Sequence, residues 1–77
     1  MVEADEVLDT SGLSCPMPVL KAKKAMEKLS PGKVLKIIAT DRGSVGDIPA
    51  WAKNNGYELV DRGEENGKFI FYVKKPE

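Results

Sequence analysis

From Pro18 to Leu29 apolar side chains return at three- and four-residue steps, at Val19, Ala22, Met26 and Leu29, which is the spacing of a helix with one buried face. On either side of it the period changes. Val7-Leu8-Asp9 reads as a short strand ended by Ser11-Gly12. Val34-Leu35-Lys36-Ile37-Ile38-Ala39-Thr40 is a nearly continuous β-prone run, the pattern of a central strand buried on both faces or nearly so. Ser30-Pro31-Gly32 divides this strand from the helix, because proline cannot continue the hydrogen-bond ladder and glycine readily turns the chain.

Asp41-Arg42-Gly43-Ser44 makes the next turn and leads into a second helix. Its cap is either Ser44, with Asp47 completing a weakened capping box, or Asp47 itself, which would place Pro49 safely in the first turn. Ile48, Trp51 and Ala52 then face the core, and Asn54-Asn55-Gly56 supplies a left-handed stop. Tyr57 to Arg62 and Lys68 to Lys74 follow as two strands, joined by a Gly63-Glu64-Glu65-Asn66-Gly67 hairpin loop.

The order is βαβαββ, and two amphipathic helices with four short strands are most simply arranged as a two-layer α/β sandwich, both helices packed on one face of a mixed four-stranded sheet. Helices on opposite faces are the competing arrangement. Against it, the last strand alternates Phe69, Phe71 and Val73 with Ile70, Tyr72 and Lys74, which gives no clear sign that both faces are covered.

A length of 77 residues corresponds to one domain, 1–77, that buries roughly 60% of the surface its unfolded chain exposes and leaves no room for a deep cavity. With 42% apolar and 31% charged residues the composition is that of a globular protein, and no apolar run approaches the ~20 residues of a membrane span. The start, Met1 to Glu6, is acidic and lacks a signal-peptide pattern, so a cytosolic address is expected. Twelve basic residues balance twelve acidic ones, which weighs against nucleic acid as a partner. With one cysteine and no histidine, neither an internal disulfide nor a metal site is expected.

That cysteine carries the candidate chemistry. It lies in Gly12-Leu13-Ser14-Cys15-Pro16-Met17-Pro18, where strand hands over to helix and two prolines stiffen the path. A thiol reacts as its thiolate, and the partial positive charge of a helix N-terminus, worth up to ~2 kcal/mol, would leave roughly half of it ionised at neutral pH. Pro16 suits Cys15 to the cap position; Pro18 instead delays the helix, and a sulfur farther from the dipole gains less. Without a second cysteine there is no dithiol cycle within the chain, and without histidine there is no usual base for a cysteine hydrolase. What remains is chemistry completed by a partner: accepting sulfur as a persulfide and passing it on.

Leu8-Asp9, then Gly12-Leu13-x-Cys15-Pro16-x-Pro18, Pro31-Gly32, Asp41 and Asp47-Ile48-Pro49 resemble the TusA-like family of small sulfur carriers, also called SirA-like or YedF-like. The match covers nearly the whole chain. The resemblance implies a two-layer α/β sandwich without a cofactor, in which Cys15 receives a persulfide sulfur from a cysteine desulfurase or a rhodanese-type donor. The sulfur then goes to an acceptor protein in a pathway such as tRNA thiolation, molybdenum cofactor synthesis or sulfur oxidation. By motif position Cys15 is the carrier, Gly12, Pro16 and Pro18 are its frame, and Asp41 is the acidic residue after the second strand. Ser14 and Met17 stand where arginine and glutamate are common in the tRNA-thiolation members.

Each candidate has a plainer reading. A free cysteine is often a small buried hydrophobe, and Asp41 can be a turn former only. Lys21, Lys24 and Lys28 form a stripe that is either a solvated face or, with Lys23 and Met17, a rim that docks an acidic partner. The rival to sulfur transfer is a regulatory or RNA- or protein-binding module that makes no use of the thiol.

Overall fold

The computed structural model describes residues 4–77; the first three residues of the acidic start lie outside the described residues. The elements run β1 (Glu6–Thr10), α1 (Met17–Lys28), β2 (Val34–Ala39), α2 (Ser44–Asn54), β3 (Glu58–Glu65) and β4 (Lys68–Lys74). The sheet order is β1-β2-β4-β3, with β1 parallel to β2 and the other neighbours antiparallel. Both helices cover one face, as the strand pattern implies.

Register explains where the core sits. Leu8 lies opposite Ile37, and Ile37 opposite Phe71, so one row of side chains crosses three strands on the helix side. Against it α1 buries Ala22 and Met26, with Leu29 just beyond its end, and α2 buries Ile48, Trp51 and Ala52. Trp51 and Tyr57 meet with ring centroids 5.3 Å apart at 59°, a tilted aromatic pair that closes one end of this core. Among the described residues no helix is long and apolar enough to cross a membrane.

Beyond the helix-facing row, β2 is less fully covered on its other face, within the expectation of burial on both faces or nearly so. Leu35, Ile37 and Ala39 are buried, but Val34, Lys36 and Ile38 are only half-buried, because no second layer covers their side of the sheet. Neighbours on that open face shelter one another instead: Lys36 pairs with Tyr72, its Nζ 5.8 Å from the ring centroid, and Ile38 pairs with Ile70.

The hairpin is tighter than its sequence suggests. Strand β3 continues to Glu65, paired with Lys68, leaving Asn66 (φ 51°) and Gly67 (φ 78°) as a two-residue turn. Positive φ at both central positions is what a type I′ turn demands, and Asn-Gly satisfies it. At the other end of β3 a register shift between Leu59 and Asp61 makes a bulge at Val60.

Helix α1 ends with Leu29 in extended geometry, and the ammonium of Lys75 caps it by donating to the carbonyls of Met26 at 3.0 Å and Leu29 at 2.8 Å. Helix α2 is capped by Gly43, at neither of the expected positions. The amides of Ser44, Val45 and Gly46 bond back three residues to the carbonyls of Asp41, Arg42 and Gly43, tightening the first turn before the α-type bond from Asp47 begins. Pro49 therefore lies inside the helix. The carbonyl its ring deprives of a donor belongs to Val45, an exposed residue, so water can replace the lost partner.

Candidate functional site: the Cys15 loop

The loop after β1 is fixed before it reaches the cysteine. Thr10 is fully buried and donates its hydroxyl to the Ile38 carbonyl, anchoring the strand end to β2. The Leu13 amide then donates to the Thr10 carbonyl at 3.1 Å, and Gly12, at φ +82°, is the turn residue that needs the left-handed region. Its own amide donates to Thr40 Oγ1 at 2.8 Å. The loop is thus bound to the exit of β2 at two points.

Helix α1 begins at Met17 with Pro16 as its cap residue, after a cis Cys15–Pro16 peptide, and Pro18 is buried at the second helical position. Cys15 accordingly sits one residue outside the cap and is exposed. Of the two starts considered for the helix, neither is met in full: Cys15 does not cap it, yet it begins one residue before Pro18.

What surrounds the sulfur reverses the expected electrostatics. Cys15 Sγ donates to Asp47 Oδ2 at 3.2 Å, and the Cys15 amide donates to Asp41 Oδ2 at 3.2 Å. Hydrogen bonding to Asp47 first, then desolvation, then the charges of Asp47 and Asp41 push the thiol pKa up from its ordinary value. The expectation of a half-ionised thiol is therefore corrected: two carboxylates outweigh a helix terminus that the sulfur does not cap. The exposed thiol thus keeps its proton to higher pH than a free cysteine does.

Two positions here went unread in the sequence. Asp47 stands in the sequence as a helix cap and as part of the Asp47-Ile48-Pro49 motif, but nothing in a linear pattern says that it crosses the loop to meet Cys15. Gly43 looked only like a turn residue. Its φ is ordinary at −59°, but a Cβ there would lie 2.9 Å from Asp41 Oδ2 and 3.6 Å from Asp47 Oδ2. The missing side chain leaves room for the Asp41 carboxylate where it meets the Cys15 amide, while Asp47 would remain at ordinary contact distance.

The remaining candidates lie along α1. Met17 is 40% exposed and Leu20 46%, an apolar edge on the first turn of α1. Lys21, Lys23 and Lys24 are exposed and, among the described residues, make no ion pair. A groove of about 510 Å³ opens elsewhere, between β1 and the end of α1, lined by Leu8, Ala25 and Leu29 among others, and Cys15 does not contribute to it. Cys15 stands on an exposed loop, outside that groove.

The fold and the loop together describe a small two-layer α/β sandwich that presents one exposed thiol on a tied loop. The family model for sulfurtransferase TusA matches residues 6–75, and the chain belongs to that family. It is 53% identical over 75 residues to the sulfur carrier protein TusA of Allochromatium vinosum, covering 97% of this chain and 99% of that one. It is 40% identical to the putative sulfur carrier protein YrkI of Bacillus subtilis, covering 96% and 99%. The crystal structure of a SirA-like protein from Desulfitobacterium hafniense superposes with a TM-score of 0.82 at 27% identity, covering 94% of this chain and 99% of that one.

Proposed function

We propose that the chain, acting as one carrier domain over 1–77, accepts sulfur on Cys15 as a persulfide and yields it to an acceptor protein. The observation that carries this reading is the exposed Cys15 thiol on a loop bound to both β1 and β2, in a chain with no second cysteine. Relatives named sulfur carriers, similar over their whole length, support it. The Cys15 sulfur, as thiolate, attacks the outer sulfur of a donor persulfide; the donor's S–S bond breaks, its inner sulfur leaves as a thiolate, and that thiolate takes up a proton in place of the one Cys15 released. Discharge is the same exchange in reverse roles, with an acceptor thiolate attacking the outer sulfur. Such exchange needs close approach of two large surfaces, which an open loop permits and a pocket would hinder.

Donors of the cysteine desulfurase or rhodanese type fit this chemistry, and the acceptor lies in a sulfur-trafficking pathway such as tRNA thiolation, molybdenum cofactor synthesis or sulfur oxidation. Gly12, Pro16 and Pro18 frame the loop, Asp41 holds the Cys15 amide, and Met17 with Lys21, Lys23 and Lys24 offers an apolar and basic rim for an acidic protein partner. Charge balance across the chain favours such a partner over nucleic acid.

Incubation with a cysteine desulfurase and cysteine tests the reading by mass spectrometry. Wild type is expected to gain one sulfur mass and Cys15→Ser none. Equal labelling of the two, or partner binding that is indifferent to Cys15→Ala with a thiol no more reactive than a free peptide's, would leave the interaction-module reading in its place.

A further inference from the structure

Asp47 belongs to a different element from the cysteine loop, yet its carboxylate is in direct contact with the reacting atom, Sγ to Oδ2 at 3.2 Å. Asp41 stands beside it on the Cys15 amide, and among the described residues neither carboxylate has an ion-pair partner. Lys21, Lys23 and Lys24, the nearest cations along α1, pair with neither. Any molecule that approaches the sulfur therefore meets the Asp47 carboxylate at contact distance.

We infer that Asp47 is the specificity-determining residue of the sulfur exchange, favouring reactants that bring positive charge beside their sulfur and rejecting anionic ones. The inference rests on the carrier reading but concerns which molecules the sulfur reacts with. Its physical basis is Coulombic: a unit charge about 5 Å from a carboxylate in water is favoured or disfavoured about three- to fourfold, and the sign of the reactant's charge decides which. A cationic and an anionic reactant are thus separated about tenfold in rate by one carboxylate, an effect that salt weakens. Small anionic disulfides and persulfides are discouraged from loading or blocking Cys15. A protein donor that places a lysine or arginine beside its persulfide both neutralises Asp47 and eases ionisation of the thiol.

Exchange with three symmetrical disulfides of different charge tests this: cystamine (cationic), bis(hydroxyethyl) disulfide (neutral) and dithiodipropionate (anionic). In each reaction the Cys15 thiolate forms one S–S bond, the reagent's S–S bond breaks, and the leaving thiolate is protonated or released. Rates are divided by those of a short unstructured peptide with one cysteine, which removes the reagents' intrinsic differences. At low salt, wild type is expected to prefer cystamine over dithiodipropionate about tenfold more than the peptide does, and to lose most of that preference in high salt. Asp47→Asn, close in shape and uncharged, is expected to lose most of it at any salt, while Asp47→Glu retains it; circular dichroism establishes that each variant is folded. A wild-type preference equal to the peptide's, or one that Asp47→Asn leaves intact, overturns the inference. Sulfur uptake from a desulfurase by wild type is scored separately: its failure sinks the carrier reading, whereas uptake without charge preference sinks only the role of Asp47.

Discussion

Cys15 Sγ and Asp47 Oδ2, 32 positions apart in the chain, meet at 3.2 Å, so the sulfur's acid–base behaviour is set by a residue of the opposite helix. The thiol proton is bound more tightly than in a free cysteine. For a carrier this has a functional sense, since a protonated sulfur resists adventitious electrophiles while it moves between partners.

The first prediction is read from the pH dependence of Cys15 alkylation by iodoacetamide. The midpoint for wild type is expected above that of an unstructured cysteine peptide, with Asp47→Asn lowering it and Asp41→Asn lowering it less, because Asp41 acts on the sulfur through its charge alone. The sign carries over to stability. A group whose folded pKa is raised contributes fully below its unfolded pKa and loses that contribution as pH rises through the folded one. Urea midpoints should therefore fall on the alkaline side in wild type, and this part of the fall should vanish in Cys15→Ser. A midpoint at or below the peptide's contradicts the geometry.

Gly43→Ala tests the placing of the Asp41 carboxylate. The backbone accepts alanine there, since φ is −59°, but the new Cβ would sit 2.9 Å from Asp41 Oδ2 and must push that carboxylate away from the Cys15 amide. The expected result is a folded protein in which the Cys15 amide exchanges with solvent faster and its NMR resonance moves. An unchanged Cys15 amide would mean that Asp41 does not depend on the space Gly43 leaves.

Legibility in the sequence followed the range of the interactions. The α1 face, Ile48-Trp51-Ala52 and the Asn66-Gly67 turn are local patterns, and the elements stand close to where those patterns put them. Cys15 was visible because prolines constrain their own neighbours. The contact with Asp47 was not, because it depends on how α2 packs beside the loop, and two of its partners, Gly43 and the tightened first turn, had ordinary local explanations. The lesser cover of one face of β2 has a related origin: Lys36 and Ile38 shelter against Tyr72 and Ile70, residues of a strand that follows much later in the chain.

Gly12→Ala should strain the loop without crowding it. The position has φ +82° and nothing within 4 Å of where a Cβ would fall, so the cost is that of a left-handed non-glycine residue, about 1 to 2 kcal/mol. In a chain of this size that corresponds to a melting temperature lower by roughly 4 to 16 °C. Relief of the strain by opening the turn would break the Gly12 amide bond to Thr40, and differential scanning calorimetry with amide exchange at Gly12 or its replacement separates the two responses. A melting temperature equal to wild type would show that the turn can be rebuilt with ordinary φ.

Lys75→Met probes the far end of the helix whose start follows Cys15. The ammonium donates to the carbonyls of Leu29 and of Met26, the latter shared with the Leu29 amide, and it places positive charge at the negative end of the helix. Methionine keeps the apolar stem and removes both effects, so the expected loss is about 1.5 kcal/mol, in the range of hydrogen bonds made by a charged donor. Thermal denaturation should register it as a fall of roughly 6 to 12 °C. The midpoint of Cys15 alkylation should stay where it is, because the carboxylates that govern the sulfur are carried by the start of α2 and the turn before it, not by the end of α1. A shift of that midpoint in Lys75→Met would show that the thiol is instead controlled through the packing of α1 as a whole.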